Sequence, residues 1–236
     1  MLKEVKKRYM DLAYNNHQEW IKIELCPGND KDISTSEAIK ESVRIDSLRG
    51  DLSKLDLFSK DTSKRNFFIN KDFRYFDFSG SSFKPSHNVS IKEGLTTLLS
   101  NSIFIGCDFS GCDLSYIAAE SCDFSGCDFR MSNFSNSILK KCKLRNCNFQ
   151  RSIMVNTSIS DCDLFGSNFS ICNIVKSKIF NCVATGASFV NSVLEDCNLK
   201  LLRFKHVNLE NCYIKNCDVK YSDISNNVIK INDGVK

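Results

Sequence analysis

Residues 107–131 read Cys107-Asp108-Phe109-Ser110-Gly111, Cys112-Asp113-Leu114-Ser115-Tyr116, Ile117-Ala118-Ala119-Glu120-Ser121, Cys122-Asp123-Phe124-Ser125-Gly126 and Cys127-Asp128-Phe129-Arg130-Met131. The block of five continues without a slip to Asn227-Val228-Ile229-Lys230-Ile231, giving 25 blocks in all. The third residue of every block is apolar, and the first is Cys, Ser, Thr or Ala in 21 of the 25. Twelve of the 13 cysteines stand in that first column, where about one in five would fall by chance, so the period is a property of the chain.

A period of five belongs neither to a helix, which repeats every 3.6 residues, nor to an alternating strand, which repeats every two. The chain must turn a corner in each block. If four blocks close one square coil, residues 20 apart stack at the strand spacing of about 4.8 Å. Phe109, Phe129, Phe149, Phe169 and Phe189 form one such ladder. Cys107, Cys127 and Cys147 form another on the same wall, and Cys122, Cys142, Cys162 and Cys182 a third on a different wall. Large and small inward positions then alternate to fill a narrow interior.

The blocks Cys107-Asp108-Phe109-Ser110-Gly111 and Cys112-Asp113-Leu114-Ser115-Tyr116 resemble the pentapeptide-repeat family, whose consensus is A-(D/N)-L-x-x. The resemblance covers more than half of the chain. It implies an all-β fold, a right-handed quadrilateral β-helix in which the central residue and the small residue two before it point inward.

Upstream, Leu99 and Phe104 keep phase with the main block, whereas Phe73, Phe78 and Phe83 are five apart but one residue out of phase. An insertion therefore lies at 84–96, and Pro85, His87, Asn88 and Gly94 mark it as a loop that leaves the coil. Leu52, Leu57, Thr62 and Phe67 suggest an earlier, less regular coil. Residues 1–48 do not repeat. Leu2, Val5, Met10, Trp20 and Ile21 give one amphipathic helix ended by Pro27-Gly28, and Ser34-x-x-Glu37 is a capping box for a second. The predicted organisation is a small helical N-terminal cap or docking segment at 1–48, a β-helix at 49–231 (irregular over 49–83, regular over 97–231) and a tail at 232–236.

Composition excludes several classes. Of 236 residues, 42% are hydrophobic and 25% charged, a balance that a folded chain can bury. No apolar run is long enough for a membrane span, and Lys3, Lys6, Lys7 and Arg8 are followed by no apolar core of a secretory signal. The net charge of +4 is too even to mark a nucleic-acid binder. There is no Cys-x-x-Cys, and His17, His87 and His206 are scattered, so neither a metal site nor any other cofactor is expected. The cysteines read as small inward hydrophobes with free thiols. Asp108, Asp113, Asp123 and Asp128 share the second block position, where Asp and Asn bond to their own turn. No nucleophile, base and orienting acid stand at an interpretable spacing, so the chain is not expected to be an enzyme or to have a small-molecule substrate.

Three groups of residues are candidates for partner contact. The insertion offers Lys84, His87, Asn88, Lys92 and Glu93. A basic collar of Arg130, Lys140, Lys141, Lys143, Arg145 and Arg151 follows an acidic one of Asp108, Asp113, Glu120, Asp123 and Asp128, and could meet phosphate or a partner of opposite charge. Ile153, Val155, Val175, Val193 and Tyr213 map outward on the wall of Leu114, as a contact stripe for a second copy, making a homodimer, or for another protein.

Within the family, Phe104 to Ser115 looks most like the quinolone-resistance proteins and the related immunity proteins against topoisomerase poisons. That resemblance implies a bacterial cytoplasmic rod that binds DNA gyrase or topoisomerase IV and relieves poisoning through a projecting loop, for which 84–96 is the candidate. The alternative is an interaction scaffold, such as a bacterial effector secreted by a non-Sec route, that binds a host or self partner.

Overall fold

The structure is a computed structural model and describes residues 68–84 and 97–223. The predicted helices over 1–48, the irregular coil up to Phe67, Cys26 and the tail after Asp223 lie outside the described residues. All regular structure among the described residues is β: β1 (Thr97–Leu98), β2 (Ile117–Glu120), β3 (Ile138–Lys140), β4 (Ile153–Val155), β5 (Ser158–Ser160), β6 (Asn173–Val175), β7 (Lys178–Phe180), β8 (Val193–Glu195) and β9 (Tyr213–Lys215).

Every pairing is parallel, and from Thr97 onward the register is 20 residues. Ala118 pairs with Ile138, Ile138 with Ser158 and Ser158 with Lys178, so β1, β2, β3, β5 and β7 make one wall, that of Ala119. On the Leu114 wall β4, β6, β8 and β9 stack in order, with Ile153 on Asn173, then Val193, then Tyr213. Single bridges build the other two walls. One runs through Asp108, Asp128, Asn148, Asn168, Ser188 and Asn208, and the other through Asp123, Lys143, Asp163, Val183 and Arg203. Four walls and a 20-residue register make the chain a quadrilateral β-helix.

Many of the corners are cut by one repeated turn. Cys112 N–H donates to the Phe109 carbonyl at 3.1 Å, closing a turn whose third residue, Gly111, holds φ 65°. A positive φ at the third residue alone is the mark of a type II turn. The same block position is left-handed throughout, filled by Gly106, Gly126, Gly166 and Gly186 but also by Asn136, Asn146, Asn156, Asn181, Lys141, Arg151 and Ile171. At Gly106 a second constraint applies, because an added Cβ would sit 2.6 Å from the Tyr75 ring of the preceding coil. The Asp or Asn before the central residue fixes the turn from inside: Asp108 accepts from Ser110 N–H at 2.8 Å, Asp123 from Ser125 at 3.1 Å and Asn168 from Ser170 at 2.9 Å. The acid-rich column is thus turn chemistry, as its spacing predicts.

The core is a stack of rings. Phe109, Phe129, Phe149, Phe169 and Phe189 are buried, with successive centroids 5.1, 4.9, 4.6 and 4.9 Å apart and planes within 16°. Phe78 extends this ladder, stacked on Phe109 at 4.9 Å, and Phe73 stacks on Phe104 at 5.5 Å. Phe68 lies against Phe73, Phe83, Phe78 and Phe104 and fills the first described coil.

The first column is more than small and apolar. All twelve repeat cysteines are free and buried, but each thiol that bonds reaches a main-chain carbonyl: Cys127 Sγ to Phe104 at 2.8 Å, Cys147 to Phe124 at 3.0 Å and Cys172 to Phe149 at 2.9 Å. Ser137, Thr157 and Ser177 do the same toward Leu114, Phe134 and Met154, at 2.6, 2.8 and 2.8 Å. The same atoms accept from the coil below, as when Thr157 N–H donates to Ser177 Oγ at 3.0 Å. The column therefore favours a small X–H donor, which Cys, Ser and Thr share, though Ile117, Ala187, Leu202 and Val207 stand in it without one.

Candidate functional site

At the insertion the pairing jumps. Asp77 bridges Asp108, 31 positions on, and Ser82 bridges Asp113 with the same offset, whereas Asp108 bridges Asp128 at 20. The offset exceeds the 20-residue register by eleven, while the ladders on both sides stay stacked. Lys84, the last described residue before the insertion, lies on the Leu114 wall with its Nζ 5.9 Å from the centre of the Tyr116 ring. His87, Asn88, Lys92 and Glu93 lie outside the described residues.

The basic collar is largely neutralised. Arg130 pairs with Asp128 of its own block at 2.5 Å, and because consecutive coils stack, the others meet carboxylates one coil away: Lys140 pairs with Glu120 at 3.4 Å, Lys143 with Asp123 at 3.0 Å and Arg145 with Asp163 at 2.7 Å. Three of these four partners belong to the acidic collar. Among the described residues no carboxylate lies within ion-pair reach of Lys141 or Arg151, and these two occupy different corners of the coil. The collar is thus no continuous cationic belt for phosphate.

These pairs set the local electrostatics. Burial works against the charge of Asp123, but the Ser125 hydroxyl and Lys143 outweigh it and hold the carboxyl below the usual carboxylate range. Lys200 does the same for Asp218 from 2.8 Å. Three isolated thiols move the other way: burial pushes Cys112 up to about 12, Cys172 to about 11 and Cys212 to about 12. Such thiols are poor nucleophiles and poor metal ligands. Among the described residues no group of His, Cys, Asp and Glu is placed to hold a metal, and no helix is long and apolar enough to cross a membrane.

The apolar stripe falls on the sheet of β4, β6, β8 and β9. Ile153 and Tyr213 are exposed there, and Val155, Val175 and Val193 half-buried. The sequence reading missed two neighbours, Met131 and Ile171, which project from the corner entering this wall. Both occupy the fifth block position, and their shared corner shows once the 20-residue register is laid over the five-residue one. Asp72 and Arg74 were also missed. Although they sit at outward positions they are buried, and they pair at 3.3 Å.

Two trypsin-treated variants of QnrB1, a plasmid-mediated fluoroquinolone resistance protein, are similar in structure. One is 20% identical with a TM-score of 0.55 and the other 21% identical with a TM-score of 0.51, each match covering 80% of this chain and 90% of that one. At this identity the likeness is one of fold. No curated protein matches the sequence. The pentapeptide-repeat family matches residues 102–140, 132–170 and 177–216, with eight copies of its repeat. With the five-residue turns and 20-residue stacking of the coil, that match makes this chain a pentapeptide-repeat protein.

Proposed function

We propose that this protein is a non-catalytic rod that binds a type II topoisomerase, DNA gyrase or topoisomerase IV, and protects it from a drug or toxin. The observation that carries the reading is the register jump: the pairing offset rises from 20 to 31 across the insertion while the ladders stay stacked, which leaves eleven residues over for a loop on a rigid support. Binding residues on a loop held by a stiff scaffold are the usual arrangement for recognition. Lys84 forms the base of the contact, with His87, Asn88, Lys92 and Glu93 as its polar tip. This reading places the protein in the cytoplasm with its target.

The test is immobilised gyrase and topoisomerase IV against the full chain and against a chain lacking 85–95. That deletion brings Leu99 to five residues after Phe83 and so restores the register. Binding by the full chain and its loss on deletion, with the β spectrum retained, is the expected result. Equal binding by both forms removes the loop from the reading. No binding to either enzyme moves the weight to the interaction-scaffold reading, including a secreted effector, which the exposed apolar stripe on the Leu114 wall also favours.

A further inference from the structure

We propose that the corner bearing Leu201 and Tyr221, with the cations on the two walls that meet there, docks on an anionic membrane surface as a weak and reversible peripheral contact. The inference stands apart from the topoisomerase reading and rests on a different surface. This corner joins the Ala119 wall to the Asp123 wall, whereas Lys84, at the insertion, lies on the Leu114 wall. Successive rungs place Lys141, Asp161, Asn181, Leu201 and Tyr221 on the corner, so the column turns from polar to apolar at its last two rungs. Leu201 is 42% exposed and Tyr221 82%, and both are left-handed, at φ 57° and 62°. The rung before makes the same turn with Asn181, a residue suited to that conformation. Neither backbone preference nor burial accounts for the two large side chains.

The charges change at the same rungs. Among the described residues no carboxylate lies within ion-pair reach of Lys178, Arg203, Lys205 or Lys220, all of them exposed. Lys200, between Phe180 and Lys220 in the stack, pairs with Asp218 at 2.8 Å. From Lys178 to Asp223 these two walls thus carry five bases against two carboxylates, Asp218 and Asp223. At the borders, Lys176 and Asp196 share the preceding corner and offset each other, Asp161 stands two rungs above Leu201, and Asp163 is taken by Arg145.

Shape and chemistry together select a lipid surface. The corner of a four-walled rod is convex, so a plane can touch its ridge while lysine and arginine side chains on both sloping walls reach the same plane. Leu201 and Tyr221 on the ridge then enter the headgroup layer, which favours an aliphatic chain and an amphipathic ring, and the bases meet anionic headgroups. A nucleic-acid backbone would pair the bases but leave Leu201 in water. The bases span three rungs, about 10 Å, so they act on the surface as one patch that salt screens.

Cosedimentation of the full chain with vesicles of phosphatidylcholine, alone or with phosphatidylglycerol, tests this at low and high salt. Binding is expected to the anionic vesicles only, and to fall as salt is added. Lys178→Gln with Lys220→Gln should weaken it about fivefold per residue replaced. Leu201→Asn, which repeats the residue of the rung before, should weaken it about threefold to tenfold while leaving the salt dependence unchanged. Unfolding midpoints show that each variant is folded; if Leu201→Asn is not, Tyr221→Asn replaces it. A short labelled DNA duplex is the second probe. Absence of binding to anionic vesicles at low salt overturns the proposal. Binding that the folded lysine or corner variants leave unchanged also overturns it, by placing the contact elsewhere. So does tighter binding of the duplex that is indifferent to Leu201→Asn, which would make the patch a nucleic-acid surface.

Discussion

Ile171 illustrates how one side chain can work against its own backbone. Its left-handed φ of 61° costs a non-glycine residue about 1–2 kcal/mol, and its side chain is exposed, so little packing offsets that cost. Ile171→Asn is expected to raise the denaturant midpoint, by about 1 kcal/mol of stability; a lower midpoint would show that the exposed side chain packs more than its exposure suggests. Ser177 is the opposite case, since its hydroxyl donates to the Met154 carbonyl and accepts from Thr157 N–H. Ser177→Ala leaves a buried amide unpaired and should cost about 1–3 kcal/mol, whereas Ser177→Cys, which keeps an X–H at that place, should cost less. Equal losses in equilibrium unfolding would refute the donor-column account. Asp123 sets a pH dependence. Its folded carboxyl titrates below its unfolded value, so its contribution to stability is complete above about pH 4 and is lost as the pH falls through the folded value. Replacing Lys143 by Met should flatten the acid limb of a stability–pH curve; an identical limb would show that the ion pair contributes nothing there.

At the level of the coil, the ring ladder is the element with most to lose. Phe149 is fully buried, stacked between Phe129 and Phe169 at 4.9 and 4.6 Å and flanked by Phe134 at 5.6 Å. Phe149→Ala is expected to cost about 3–5 kcal/mol, read as a lower unfolding midpoint, and an unchanged midpoint would contradict the core assignment. The coil was legible in the sequence because a strict five-residue period allows no ordinary helix or strand, and the ladder from Phe109 to Phe189 could be read directly at 20-residue spacing. The step from Phe78 to Phe109 was visible only as a phase slip, since eleven additional residues in the chain hide the continuity of the stack. The donor role of the Cys column was present in the sequence too, as the interchange of Cys with Ser and Thr. Size alone explains such an interchange equally well, and the carbonyl partner comes from another coil.

On the whole molecule, the charge pattern is the feature that linear reading serves least. Acidic and basic collars that look separate along the chain are stacked neighbours in space, so Asp123 and Lys143, 20 residues apart, are bonded. The stripe of Ile153, Val155, Val175, Val193 and Tyr213 was legible because wall and direction follow from the count alone. Its widening by Met131 and Ile171 depends on the shape of a corner. What the described surface keeps is a basic collar largely paired with carboxylates and an apolar stripe on the Leu114 wall.

The central claim concerns that loop, and the most direct measurement is a gyrase supercoiling and DNA-cleavage assay with purified protein, with and without a fluoroquinolone, run beside the chain lacking 85–95. The account predicts that the full chain restores supercoiling and lowers drug-induced cleavage, and that the deleted chain, still β-folded, does neither. Unchanged poisoning of both gyrase and topoisomerase IV in the presence of the full chain would contradict it.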